Sequence, residues 1–259
     1  MQKHLNSLLW AACFIIAIAC NPQAKQQAGI FAANSSIDSS LDQQALQDTT
    51  FINMINHYKV GLDSQMNQLV SVTNEAMMSG KPESLLSNYI ADAMLAIGNK
   101  YCQDNKLGHG IDLSIINNGG LRTSLPKGNI SIGKLFELLP FENKLVIIGM
   151  KGSDLMNVLR YLAAKNGEGV SGIKMGIKDR KVDDVKIGGK AIDLNKIYHL
   201  ISIDYLVNGG DGMNSFDKRE NFRHIHMKLR EAIIEHAKVL YQSGVEIKSE
   251  LDGRIYYEQ

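Results

Sequence analysis

The chain has 259 residues, is 44% hydrophobic and 21% charged, and sets 28 Lys plus Arg against 27 Asp plus Glu for a formal net charge of +1. That balance excludes a nucleic-acid binder working through a general basic field, 4 prolines exclude a Pro-rich scaffold, and 3 cysteines exclude a disulfide framework or a four-cysteine zinc site. What remains is an ordinary folded chain whose function must be read from local motifs.

Lys3 gives a weakly positive start, and Leu8 to Ala19 is a continuous apolar run. The run is shorter than the roughly 20 residues a membrane-spanning helix needs, but it suits a secretory signal. It stops at Ala17-Ile18-Ala19-Cys20, and polarity begins at once with Asn21-Pro22-Gln23. A small residue followed by Cys at such a boundary resembles the bacterial lipoprotein signal. The resemblance implies a signal peptide over residues 1–19 and lipidation of Cys20. The chain is then anchored to a membrane of the bacterial cell envelope, facing the periplasm or the exterior. An ordinary secretory cut after the same small residues is the alternative, and an uncleaved anchor is a third. Residues 20–49, rich in Gln, Ala, Ser and Asp, read as a flexible tether, and the folded domain is expected over 50–259.

From Phe51 the texture changes. Phe51, Met54, Ile55, Tyr58, Leu62 and Met66 recur at helical spacing, so an amphipathic helix is predicted to about Leu69, followed by a short strand over Val70 to Thr73. Ser84 to Ile97 is a second predicted helix, with Gly98 as its stop. Asp112 to Ile116 is a strand that ends abruptly in two glycines. Ile132 to Leu139 is a helix closed by Pro140, Lys144 to Met150 a strand, and Ser153 to Ala164 a helix. Strands follow over Ile173 to Ile177, Val182 to Ile187 and Ile197 to Tyr205, with Gly188-Gly189 as a hairpin turn. A long amphipathic helix is predicted from about Phe222 to Tyr241, and a terminal strand over Asp252 to Tyr257. Helices and strands mix without strict alternation, which favours an α+β domain with mixed sheets. Cys102 reads as a small buried hydrophobe.

The candidate chemistry lies in two glycine-rich loops and one bend. Asn117-Asn118-Gly119-Gly120-Leu121-Arg122 follows a strand directly, so its backbone N–H groups can approach an anion or a planar ligand, and Arg122 adds a forked cation. The bland alternative is a tight turn with a solvated arginine. Asn208-Gly209-Gly210-Asp211-Gly212 follows another strand, and Asp211 there suits the vicinal hydroxyls of a ribose, although the same residues make ordinary surface turns. Leu139-Pro140-Phe141-Glu142-Asn143 places an aromatic side chain on a bend, where by itself Phe141 would more often belong to the core.

Taken in order, these three segments resemble the C-terminal, substrate-binding domain of the 5′-nucleotidases, with Gly133 to Phe136 leading into the second and Tyr205 preceding the third. Glu83 to Ala93 is similar to that family's entry helix, and Gly188 to Asp193 with Lys196-Ile197-Tyr198 also fits. The resemblance runs from about residue 50 to 257. It implies a single four-layer α/β domain that grips the nucleoside half of a nucleotide. Phe141 and Tyr205 would then sandwich the base and Asn117 would hydrogen-bond it. Gly119, Gly120 and Gly210 would shape the loops, Asp211 would hold the ribose and Arg122 would reach the phosphate. Where the family carries a phosphate-binding arginine before the entry helix, this chain reads Met78-Ser79-Gly80-Lys81-Pro82, and Lys81 could serve there only as a point charge.

The family's other domain holds two metal ions in a cluster of Asp, His and Asn, and no segment here resembles its motifs. His224-Ile225-His226 reads as surface or helix-end histidines, Gly108-His109-Gly110 as a turn, and His57, His199 and His236 lack partners at ligand spacing. No catalytic residue, metal ligand or cofactor is therefore assigned to this chain, and divalent metal ions are expected only in a partner metallophosphatase chain. The resulting expectation is a nucleotide- or nucleoside-binding subunit of a split 5′-nucleotidase. A stand-alone nucleoside-binding lipoprotein is the alternative, and a structural lipoprotein with a vestigial cleft is a third reading.

Overall fold

The computed structural model describes residues 49–258, so the predicted signal peptide, the lipidation site Cys20 and residues 20–48 of the predicted tether lie outside the described residues. The chain divides into two units, residues 1–56 and 57–259. Helix α1 (Thr49–Met66) runs across that boundary, and every other described element belongs to the second unit.

Three sheets organise that unit. Strands β1 (Leu69–Thr73) and β3 (Gly128–Ser131) pair antiparallel. A five-stranded sheet runs in the order β10 (Asn221–Lys228), β4 (Lys144–Lys151), β9 (Ile197–Ile203), β2 (Leu113–Ile116), β5 (Gly169–Ser171). A four-stranded sheet runs β11 (Ile255–Tyr257), β6 (Ile173–Lys178), β7 (Lys181–Ile187), β8 (Lys190–Ala191). The pairs β2–β9 and β11–β6 are parallel and the rest antiparallel, so the predicted mixed-sheet class holds. Helix α4 (Gly152–Ala164) packs on both β4 and β7 and joins the two larger sheets. Helix α2 (Leu85–Asp104) covers β2, β5 and β9, and α6 (Leu229–Gln242) lies against α2, β1 and the short α3 (Ile132–Leu138). This is the layered α/β arrangement expected.

Strand β2 is buried at all four positions, as a central strand covered on both faces must be. Its polar Ser114 donates to the Ala91 carbonyl at 2.7 Å, and Ser202 on β9 donates to the Ile115 carbonyl at 2.9 Å, so neither buried hydroxyl is orphaned. Ser84 caps α2 by accepting from the Ser87 N–H at 3.3 Å. Gly188 and Gly189 form the β7–β8 turn with φ of 57° and 78°, which only glycine adopts freely and which matches the twist of the strands. Cys102 is buried, as expected.

Four sequence expectations are corrected. Gly98 is not the stop of α2. It lies inside the helix because a Cβ there would stand 2.9 Å from Ile111 and 3.0 Å from Ile201, so glycine lets the helix sit down on β9. Strand β9 ends at Ile203, and Tyr205 belongs to the one-turn helix α5 (Asp204–Val207), whose start is fixed where Asp204 Oδ1 accepts from the Tyr205 N–H at 2.9 Å and the Lys144 N–H at 3.0 Å. The predicted helix from Phe222 is edge strand β10 up to Lys228, and helix begins only at Leu229. His224 and His226 therefore lie on a strand, bent where His226 takes a φ of 59° and the register with β4 shifts. Helical periodicity over the second half of the segment carried the prediction too far back. The terminal strand, predicted from Asp252, starts at Ile255.

Candidate functional site

The C-terminal ends of β2 and β9 open into the two glycine loops, and the bend before β4 lies beside them. Together they enclose a cleft of about 330 Å³ lined by Asn117, Gly119, Gly120, Arg122, Phe141, Asn143, Tyr205 and Asp211. Segments more than ninety residues apart in sequence thus meet at one end of the five-stranded sheet.

Each wall has a local cause. After Ile116 the chain turns through a single 3-10 turn, Asn118–Gly120, closed by Gly120 N–H to the Asn117 carbonyl at 3.1 Å and Leu121 N–H to the Asn118 carbonyl at 3.0 Å. Glu168 anchors this turn by accepting the Asn118 N–H at 2.6 Å. Its other oxygen takes Lys81 Nζ at 2.9 Å. Lys81, considered as a phosphate contact, is thus committed to an ion pair behind the loop and does not line the cleft.

Phe141 stands on the bend after α3. Pro140 prevents helix continuation, and the buried Arg230 of α6 fixes the bend by donating to the Leu139 carbonyl at 2.9 Å and to the Glu142 carboxylate. Lys228 also binds Glu142, and the two cations hold its carboxyl below the usual carboxylate range. The flanking residues are pinned while Phe141 itself is 48% exposed. Its ring faces the Arg122 guanidinium, which lies 5.9 Å from the ring centre.

Asp211 is the most constrained residue of the cleft. It adopts φ 55°, a left-handed conformation that Asp tolerates better than most side chains. Its Oδ2 accepts from Asn117 Nδ2 at 2.6 Å and its Oδ1 from the Tyr205 hydroxyl at 2.8 Å. Its own N–H donates to that hydroxyl at 3.2 Å, and Tyr161 of α4 donates to its carbonyl. Donation to the Asp211 carboxylate raises the Tyr205 phenol above its ordinary pKa. Because a carboxylate can only accept, the Asn117 amide is oriented with its nitrogen on Asp211. Its carbonyl oxygen is then buried over Gly120 with no hydrogen-bond partner, in a residue only 5% exposed.

Seven of the eight expected residues line the cleft. Gly210 does not. A Cβ at Gly210 would stand 2.5 Å from the Tyr205 carbonyl oxygen and 2.6 Å from its ring, so this glycine makes room for the ring from behind. Asn143 lines the cleft and was not singled out from the sequence; its place two residues after Phe141, just before β4, is the signal that was available. Tyr161, in an ordinary helix pattern, offered none.

Among the described residues no three His, Cys, Asp or Glu side chains gather as a metal-holding group. His224 and His226 have ring centres 5.9 Å apart, and neither belongs to such a group. A two-metal centre does not fit the donors among the described residues. No described helix is long and apolar enough to cross a membrane.

The family described as 5′-nucleotidase, C-terminal domain, matches residues 59–218, more than half of the chain. UshA of Escherichia coli K12 is 27% identical over 150 residues, covering 55% of this chain and 27% of that protein. The Vibrio vulnificus 5′-nucleotidase is 24% identical over 177 residues, covering 66% of this chain and 31% of its own length. The chain thus spans less than a third of these relatives. Among solved structures, the 5′-nucleotidase precursor of Thermus thermophilus superposes with a TM-score of 0.67 at 24% identity, covering 78% of this chain and 42% of that one. The Haemophilus influenzae NAD nucleotidase follows with 0.61 at 22%, covering 82% and 41%.

Proposed function

The chain belongs to the family of 5′-nucleotidase C-terminal domains, and on that footing we propose that it is the nucleotide- or nucleoside-binding subunit of a split 5′-nucleotidase-type phosphoesterase. The observation that carries this reading is the convergence of Asn117, Arg122, Phe141, Tyr205 and Asp211 on one cleft, with a buried Asn117 oxygen still lacking a donor. Phe141 and Tyr205, half-exposed at 48% and 45%, offer faces to a flat base. The Asn117 carbonyl suits a base N–H, since a buried acceptor left unpaired is costly. Each Asp211 oxygen keeps a lone pair for a ribose hydroxyl after accepting its protein donor. Arg122, at the open side of the glycine turn, is the cation available to a phosphate.

Water activation and attack on phosphorus are assigned to a second chain carrying divalent metal ions, docked beside this cleft. We further propose that Cys20 is lipidated and holds the chain at the bacterial cell envelope. Cys20→Ala should then move the protein from the membrane to the soluble fraction, and continued membrane association would contradict the anchor.

The direct test is phosphate release from a panel of nucleotides. Turnover that requires a separately encoded metallophosphatase supports the split enzyme. Turnover by the pure chain in the presence of a chelator contradicts it. Nucleoside binding without turnover under either condition selects a binding lipoprotein instead.

Two variants probe this cleft. Arg122→Gln should weaken nucleotides by about tenfold, leave nucleosides nearly unchanged, and matter less at high salt. Equal losses for a nucleoside and its monophosphate in calorimetry would place Arg122 in the structure of the turn. Gly210→Ala should displace the Tyr205 ring and reduce nucleoside affinity at least as much as Tyr205→Ala. Unchanged affinity would remove Tyr205 from the ligand.

A further inference from the structure

The opposite end of the same strands carries a second recess, of about 290 Å³. Its shape follows from register. Asn221 lies opposite Gly149, and Gly149 opposite His199, so one row across β10, β4 and β9 reads Asn-Gly-His. The neighbouring row reads Arg223, Ile147, Ile201. With no side chain at Gly149 the first row is a trough, and the nearest atom to a Cβ built there is Asn221 Nδ2 at 3.2 Å, an amide donor turned into the trough.

The far wall is a pair of imidazoles. His109, from the loop after α2, stacks on His199 with ring centres 3.6 Å apart and planes 8° from parallel. His109 Nδ1 lies 3.1 Å from the Gly110 carbonyl and His199 Nδ1 lies 4.0 Å from Asp112, so Nε2 is the nitrogen each ring has left for a ligand. Parallel rings direct their lone pairs side by side, which does not suit a shared metal ion. Asp112, the carboxylate beside them, is already answered by Lys196 Nζ at 3.1 Å and the His199 N–H at 2.8 Å. Arg223, exposed on the near wall, makes no ion pair among the described residues. The recess therefore holds an uncompensated guanidinium, a free amide donor and two imidazoles around a glycine floor.

We propose that this recess is a second binding site, for a phosphate group, held by Arg223 and Asn221 and closed by the His109–His199 pair. Arg223 supplies a forked donor and Asn221 an N–H, and a phosphate that keeps a proton can donate it to an imidazole Nε2, since burial and the neighbouring His109 hold the His199 ring below its ordinary pKa. Gly149 on β4 lies six positions after Asn143, and His199 on β9 lies six positions before Tyr205. At about 3.3 Å per residue the two sites are about 20 Å apart, too far for one mononucleotide to fill both. The proposal does not depend on the reading of the aromatic cleft.

The test uses the full chain labelled at its 7 histidines. Inorganic phosphate should shift the His109 and His199 ring signals saturably in the millimolar range, while sodium chloride at equal ionic strength should not. Arg223→Gln should weaken that binding by about tenfold. Gly149→Ala, at a backbone that needs no positive φ, should fill the trough and do the same without lowering the melting temperature appreciably. A phosphate monoester that binds as tightly as inorganic phosphate assigns the site to an ester ligand, and binding of inorganic phosphate alone assigns it to the free ion. No saturable shift with either, an equal shift with chloride, or unchanged binding in both variants overturns the proposal.

Discussion

Phe141→Ala should lower nucleoside affinity by about fivefold to a hundredfold and leave the melting temperature almost where it was. A base stacked on an aromatic side chain contributes about 1–3 kcal/mol by alanine substitution, and each 1.4 kcal/mol is about tenfold in affinity. The ring is 48% exposed, and its bend is held by neighbours, Leu139 and Glu142 through Arg230, which the substitution does not touch. Were Phe141 a core residue, truncation would open a cavity costing about 3–5 kcal/mol and lower the melting temperature by about ten degrees in a domain of this size. Calorimetric titration beside a thermal melt separates the two: a large melting loss with normal binding at low temperature contradicts the clamp.

Asp211→Asn should weaken a ribonucleoside by about tenfold or more and its 2′,3′-dideoxy analogue distinctly less. Asparagine tolerates the φ of 55° at this position, so the backbone is kept. The substitution removes the charge and turns one acceptor into a donor, so the hydroxyls of a ribose lose a charge-assisted partner. Asn117 and the Tyr205 hydroxyl also donate to this carboxylate, so both ligands lose something through the base wall. The difference between them reports the sugar. Equal losses would show that Asp211 acts only by holding Asn117 and Tyr205 in place. Tyr205→Phe is the companion control, since it keeps a stacking face and deletes only the hydroxyl's two hydrogen bonds with Asp211.

What the sequence disclosed and what it hid divide along physical lines. The strands that end in glycine turns were legible because a buried β-rich run followed by Asn-Gly-Gly has few other solutions, and the order of the motifs placed Asn117, Arg122, Phe141, Tyr205 and Asp211 in one family pattern. Gly98 misled because a glycine near the end of a helical repeat signals a stop, whereas here it answers to Ile111 and Ile201, distant in sequence. The segment from Phe222 to Lys228 misled because the helical spacing of the true helix from Leu229 was extended back over it, and only pairing with β4 decides in favour of strand. Tyr161, Glu168 and Arg230, which position Asp211, Asn118 and Phe141, left no sequence signal at all. Each acts across at least fifty residues through one side chain. Lys81 shows the converse, since its location suggested a phosphate contact and Glu168 has claimed it.

On the proposed reading, this chain recognises a nucleotide through the cleft between Phe141 and Tyr205 and leaves phosphate transfer to another chain. Titration of the full chain with a nucleoside monophosphate in the presence of a chelator, followed by calorimetry and by assay of released phosphate, tests it most directly. Saturable binding, lost in Phe141→Ala, with no phosphate released, is the expected result. Phosphate release by the pure chain under those conditions, or binding indifferent to Phe141, Tyr205 and Asp211, would contradict it.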